Sequence, residues 1–215
     1  MYDVNLLIGG KEQAARGGTT FERRNPVSGK VVTRAAAASS DDALAAVAAA
    51  QAAFPAWSNL GPGARRAKLM KAAELLEARS ADFAAAVRDE TGSTAGWGHF
   101  NVHFAASMLR EAAAMTTQVS GEVVPSDIPG NLAMAHRQPV GVVFGIAPWN
   151  APVILGVRAV AMPLACGNTV ILKSSEVCPQ THQLIGKVLI EAGLGDGVVN
   201  VIHTESRMRE RSARP

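Results

Sequence analysis

Cysteine is scarce: the 215 residues contain two, Cys166 and Cys178, twelve positions apart. That spacing fits no zinc-ligand template, and the five histidines do not gather around it, so no metal is expected. Nor does the N-terminus, Met1-Tyr2-Asp3-Val4-Asn5, have the basic and apolar segments of a secretory leader. A reduced, cytoplasmic protein is therefore expected. An excess of one charge is missing too, with 21 Lys plus Arg against 18 Asp plus Glu, and part of that margin sits in Arg207, Arg209, Arg211 and Arg214. No basic run is interleaved with aromatic residues, so nucleic acid is not an expected partner. Long apolar runs are absent: the best candidate, 140–155, is interrupted by Pro148 and Pro152, and no membrane association is expected. The common glycine-rich phosphate loops are absent as well. Gly29-Lys30 lacks the spaced glycine and the following Ser or Thr of a P-loop, and Gly141 and Gly145 sit in an apolar strand pattern rather than in Gly-x-Gly-x-x-Gly.

What is present reads as an α/β protein, 48% hydrophobic and 18% charged. Residues 1–38 alternate short apolar segments with turns: Leu6-Leu7-Ile8 before Gly9-Gly10, and Val31-Val32-Thr33 after the turn at Asn25–Lys30. Helical patterns follow. Ser39-Ser40-Asp41-Asp42 supplies N-cap candidates for an Ala-rich helix reaching about Phe54. Residues 64–90 place Leu69, Ala72, Ala73, Leu76, Phe83 and Val87 at helical spacing, and a further helix runs from Phe100 to about Thr117. His99 and His103 lie at i,i+4 on one helical face, which packing or the lining of a substrate channel explains better than a metal pair without a third ligand. Residues 121–139 read as a two-stranded excursion around Asp127-Ile128-Pro129-Gly130. From Val140 the order is strand, helix, strand, helix, strand, ending at Val198–Ile202. Unbroken apolar strands in that alternation predict a parallel sheet with helices on both faces. From His203 onward no apolar period remains, and 203–215 reads as a disordered tail.

A parallel sheet offers its ligand site at the carboxyl ends of its strands. One end here runs into Ile146-Ala147-Pro148-Trp149-Asn150, the next into Lys173-Ser174-Ser175-Glu176. Consecutive βαβ strands normally pair, which makes these ends neighbours. The Asn150 amide offers two uncharged N–H donors, suited to a developing oxyanion. Lys173 can bond ribose hydroxyls, and Glu176 can accept from both hydroxyls of a ribose while repelling a 2′-phosphate. Cys166, among Leu164, Ala165 and Gly167, reads as a small core residue, and Cys178 as structural.

Pro148-Trp149-Asn150, then Gly167–Lys173 with Glu176 three further on, and Gly197-Val198-Val199-Asn200-Val201 resemble the aldehyde dehydrogenase superfamily. The likeness reaches back through Asn25-Pro26, Glu90-Thr91-Gly92 and the 121–139 excursion. Segments 109–115 and 149–158 look most like bacterial enzymes of the salicylaldehyde or vanillin dehydrogenase type. The resemblance implies an incomplete Rossmann-like parallel sheet with flanking helices, plus a β-hairpin arm that pairs subunits. Residues 1–120 would supply N-terminal strands and helices of the cofactor-binding domain, 121–139 the arm, and 140–202 the βαβαβ part of the NAD-binding domain. Ile146, Ala147, Pro148 and Trp149 would line the cofactor, Lys173, Ser175 and Glu176 would hold its adenosine ribose, and Asn150 would be the oxyanion-hole side chain. NAD is expected rather than NADP because of Glu176.

In that family a cysteine thiolate attacks the aldehyde, hydride leaves to the nicotinamide, and glutamate-activated water hydrolyses the thioester. Here neither that cysteine nor that glutamate is found, and the Gly-rich turn expected after Ile202 is absent. The expectation is a truncated N-terminal portion of an NAD-dependent enzyme oxidising an aromatic or apolar aldehyde to its acid, inactive by itself. The alternatives are a non-catalytic NAD-binding or subunit-pairing fragment, or a frameshifted or partial gene product. A sheet stopping at Val198–Ile202 would also leave one edge bare.

Overall fold

The computed structural model describes residues 1–205. Strands β1 (Tyr2–Val4), β2 (Leu6–Ile8), β3 (Lys11–Gln13), β4 (Thr20–Arg24) and β5 (Val31–Ala36) come first. Helices α1 (Ser40–Ser58), α2 (Pro62–Ala78), α3 (Ser80–Thr91) and α4 (Ala95–Met115) follow, then the hairpin strands β6 (Glu122–Val124) and β7 (Ala133–Ala135). The alternating part consists of β8 (Val142–Ile146), α5 (Pro152–Ala165), β9 (Thr169–Lys173), α6 (Pro179–Glu191) and β10 (Val199–Ile202).

Local chemistry sets these boundaries. Ser39 caps α1 reciprocally: its hydroxyl accepts from the Asp42 N–H at 3.2 Å, and the Asp42 carboxylate accepts from the Ser39 N–H at 2.8 Å. The helical run expected over 64–90 breaks into α2 and α3 at Arg79. The Thr94 side chain, accepting from the Trp97 N–H at 3.2 Å, starts α4 earlier than its apolar pattern suggests. Pro152 and Pro179 stand in the first turns of α5 and α6, where a missing N–H costs nothing.

The central sheet has the order β3-β2-β10-β9-β8. The three strands β8, β9 and β10 are parallel, as the alternation predicts, with Ile146 opposite Lys173 and Lys173 opposite Ile202. The bare edge expected at Val198–Ile202 is not there. Strand β2 lies antiparallel along β10, with Leu7 opposite Val201, and β3 folds back beside it. Leu6-Leu7-Ile8 is entirely buried there, and at the Gly9-Gly10 turn both glycines take positive φ (61° and 80°), which folds β3 back beside it. The Asn200 side chain secures that turn, accepting from the Gly9 N–H at 2.9 Å and donating to the Gly197 carbonyl at 2.8 Å.

Successive side chains divide two faces. Leu7, Val170, Leu172, Val199 and Val201 pack with α5 and α6 in the larger core, which continues through α2, α3 and α4. Leu6, Ile8, Ile171 and Ile202 pack with Ala46 and Ala50 of α1 on the other face. A separate sheet, β1-β5-β4, flanks this body. The 121–139 excursion is the expected two-stranded pair, with Val123 opposite Met134.

The disordered tail expected from His203 does not begin at that residue. His203 is fully buried, and its backbone carbonyl accepts from the Ala38 N–H at 2.8 Å. His203 gives no apolar signal in the sequence because polar partners far away in sequence hold it. The rest of the expected tail, from 206 to 215, lies outside the described residues. No helix among the described residues is long and apolar enough to cross a membrane, and no group of three His, Cys, Asp or Glu among them is placed to hold a metal ion.

Candidate active site

Parallel pairing of β8 with β9 brings the two unusual strand ends together. Beyond the Ile146–Lys173 register, the Ala147 N–H still donates to the Lys173 carbonyl at 3.1 Å, and only then do the chains diverge into their turns. On the β8 side, Pro148, Trp149 and Asn150 are exposed and lead directly into α5. Ile146 and Trp149, both apolar, leave 67% and 54% of their surface exposed at this strand end. On the β9 side, Lys173 Nζ lies 3.6 Å from Glu176 Oε2, with both side chains partly exposed. Cation, carboxylate, primary amide and exposed apolar side chains thus stand at one end of the sheet.

Ala147 and Ser175 play a different part from the other expected site residues. Both are buried. The Ser175 hydroxyl accepts from the Val177 N–H at 3.2 Å, so that side chain closes the loop instead of facing outward. Cys166 ends α5, at the opposite end of that helix from Asn150. Cys178 is buried at the start of α6, and burial pushes its thiol well above the ordinary value. Both are free. His99 and His103 lie elsewhere: His99 Nδ1 is 2.8 Å from Ser80 Oγ and His103 Nδ1 is 3.9 Å from Glu77.

Beneath the mouth is a buried polar layer whose long-range links left no mark in the sequence. Glu90, in the last turn of α3, is fully buried and receives the first turn of α6. Its carboxylate accepts from the Gln180 N–H at 2.8 Å, the Thr181 N–H at 3.0 Å, the Thr181 hydroxyl at 2.8 Å and the Thr33 hydroxyl at 2.9 Å. A carboxylate at a helix N-terminus satisfies orphan N–H groups and meets the positive end of the dipole. Burial nonetheless outweighs those bonds and raises the Glu90 carboxyl to about 7. His182 is fully buried one residue further on, with Nδ1 accepting from the Ser175 N–H at 3.1 Å and Nε2 3.1 Å from the Pro152 carbonyl. His203 Nδ1 lies 2.7 Å from Ser174 Oγ, and its Nε2 lies 3.2 Å from both the Asn5 carbonyl and Gln183 Oε1. Both imidazoles are pushed down by burial, His182 to about 4 and His203 to about 3.

The model of the Aldehyde dehydrogenase family matches residues 13–212. Vanillin dehydrogenase from Pseudomonas fluorescens is 68% identical over 202 residues, which are 94% of this chain and 42% of that protein. The crystal structure of a salicylaldehyde dehydrogenase from Pseudomonas putida G7, complexed with salicylaldehyde, superposes with a TM-score of 0.94 at 41% identity, covering 98% of this chain and 44% of its own. An NAD-dependent aldehyde dehydrogenase from Sinorhizobium meliloti gives a TM-score of 0.91 at 32% identity, covering 97% and 42% respectively. The chain thus spans less than half the length of each relative. It belongs to the aldehyde dehydrogenase family.

Proposed function

We propose that this chain supplies the cofactor-ribose clamp and the oxyanion donor of a cytoplasmic, NAD-dependent dehydrogenase that oxidises aromatic aldehydes to acids. The observation that carries the reading is the pairing of Ile146 with Lys173, which sets the Asn150 turn beside the Lys173–Glu176 loop. The vanillin and salicylaldehyde enzymes it resembles support the aromatic class of substrate. In this reading residues 140–202 are the βαβαβ part of the cofactor domain, and the strands and helices of 1–120 back it.

The residues present fit a dinucleotide. Lys173 and Glu176 are a cation and a carboxylate side by side at the mouth, able to donate to and accept from ribose hydroxyls. Ile146 and Trp149 offer exposed apolar surface, and covering such surface gains about 25 cal/mol per Å². A bound nicotinamide would supply the hydride acceptor for the oxidation. Asn150, exposed on its proline-stiffened turn, donates N–H to the oxygen on which negative charge develops.

Glu176 also sets the choice between cofactors. Its carboxylate would face a 2′-phosphate as a like charge but accept a hydrogen bond from a 2′-hydroxyl. Titration of the 215-residue chain with NAD+ and NADP+, followed by tryptophan fluorescence, is expected to show NAD+ binding tighter by roughly tenfold or more, about 1.4 kcal/mol. Glu176→Gln should narrow that ratio. Equal affinity for the two, or a ratio that Glu176→Gln leaves untouched, defeats the assignment.

A second reading concerns β6 and β7. Val123 and Met134, a cross-strand pair, are 70% and 67% exposed, an apolar surface on a hairpin. We infer that this arm pairs with another subunit. Equilibrium sedimentation should show self-association that a Val123→Asp, Met134→Asp double variant loses. Identical sedimentation of both chains rejects the arm.

A further inference from the structure

We propose that His182 is a positioning residue that locks the ribose-clamp loop to the oxyanion turn. It rests on the reading of Lys173, Glu176 and Asn150 given above. The ring reaches a backbone group on each side of the site. Ser175, whose N–H its Nδ1 accepts, lies between Lys173 and Glu176. Pro152, whose carbonyl stands 3.1 Å from its Nε2, lies two residues beyond Asn150.

The chemistry of the partners fixes the tautomer. A carbonyl can only accept, so Nε2 carries the hydrogen; a backbone N–H can only donate, so Nδ1 is bare. One neutral form satisfies both contacts, and a protonated ring would point a donor at a donor. A buried histidine with satisfied nitrogens is commonly no more than core. This one differs in what it joins: the loop after β9 and the turn after β8, two segments that otherwise diverge after the Ala147–Lys173 bond.

Helix α5 is shaped to admit the ring. A Cβ at Gly156, one turn below Pro152, would lie 2.9 Å from His182 Cδ2 and 2.5 Å from Ile185 Cδ1. Any larger residue would push α6, and the imidazole with it, away from the Pro152 carbonyl. The rest of the loop is pinned independently, Ser174 by His203 and the α6 first turn by Glu90. His182 is the link across the mouth.

Two amide substitutions cut the two bonds separately. Asn keeps an acceptor near the Nδ1 position, and Gln keeps a donor near the Nε2 position. Hydrogen–deuterium exchange on the 215-residue chain is expected to quicken over 173–178 in His182→Gln and over 147–152 in His182→Asn, with α2 unchanged in both. Titration with NAD+ should show about tenfold weaker binding for His182→Gln and less than a twofold change for His182→Asn. In the unsubstituted chain, ¹⁵N shifts of the imidazole at neutral pH should report the Nε2–H tautomer alone, a measurement that needs no variant to fold. Mixed tautomers, exchange that quickens equally everywhere including α2, or no local change in either variant overturns the proposal. If the unsubstituted chain binds no NAD+, the function reading fails, while the exchange pattern and the tautomer still decide the role of His182.

Discussion

Replacing Asn150 with Ala is expected to lower kcat for an aromatic aldehyde by about 100- to 1,000-fold, with little change in KM, once the chain is joined to the rest of a family member, if Asn150 is the oxyanion donor proposed above. A suitable host is a chimera in which residues 1–205 replace the matching part of Pseudomonas fluorescens vanillin dehydrogenase, 68% identical over the shared region. The size of the effect follows from what the amide does. It offers N–H donors without charge, held by the Pro148 turn immediately before the N-terminus of α5, where the helix dipole adds positive potential. Those donors meet full negative charge only after the nucleophile has attacked, so their loss falls on the transition state rather than on substrate binding. Asn150→Asp should be at least as damaging, because it sets a carboxylate against the developing oxyanion. The 215-residue chain alone should make no NADH from NAD+ and vanillin, since Cys166 ends α5 away from Asn150 and the Cys178 thiol is buried. Asn150→Ala within threefold of the parent chimera would remove Asn150 from the oxyanion role, and turnover by the chain alone would refute the proposal that it lacks a nucleophile.

The local parts of this architecture were legible because short-range rules govern them. The cap at Ser39–Asp42, the prolines opening α5 and α6, and the apolar strands of β8, β9 and β10 depend on neighbours within a few residues. Their order made the adjacency of the Asn150 turn and the Lys173–Glu176 loop an inference about topology alone. What escaped depended on partners far apart in sequence. Nothing near Leu6-Leu7-Ile8 says that it will close the edge of a strand beginning at Val199. The hydrogen bonds from Gln180 and Thr181 to Glu90 span 90 and 91 residues, and the one between Asn5 and His203 spans 198. His203 looked like the start of a tail because polar satisfaction, unlike apolar packing, leaves no periodicity. The same holds for His182, whose meaning lies in two backbone groups on other segments.

Those buried groups make the fold acid-labile, and the sign can be worked out group by group. His182 and His203 are held down to about 4 and about 3, against 6.5 when exposed. Burial is the main cause in each, and Lys173 nearby adds to it. Their contribution is fully present above pH 6.5 and is lost as pH falls toward the folded values. Glu90 runs the other way: it is raised from 4.5 to about 7, so its contribution is present below 4.5 and is lost as pH rises through about 7. Between pH 4.5 and 6.5 the unfolded chain therefore holds two imidazole protons and the folded chain one carboxyl proton, a difference of 2 − 1 = 1. Unfolding free energy should fall by about 1 kcal/mol for each pH unit lost in the middle of that window, or roughly 2 kcal/mol across it. Below pH 4.5 the decline steepens, because the Glu90 term drops out and the carboxylates of Asp42, Glu12 and Glu77, held below their ordinary values, begin to protonate. Urea unfolding from pH 7 to 4.5 measures the slope. His203→Gln removes one imidazole and should flatten it to near zero. Glu90→Gln removes the opposing carboxyl and should roughly double it. Stability that holds level or rises as the parent chain is acidified from pH 6.5 to 4.5 would show that these imidazoles are not held neutral by the fold.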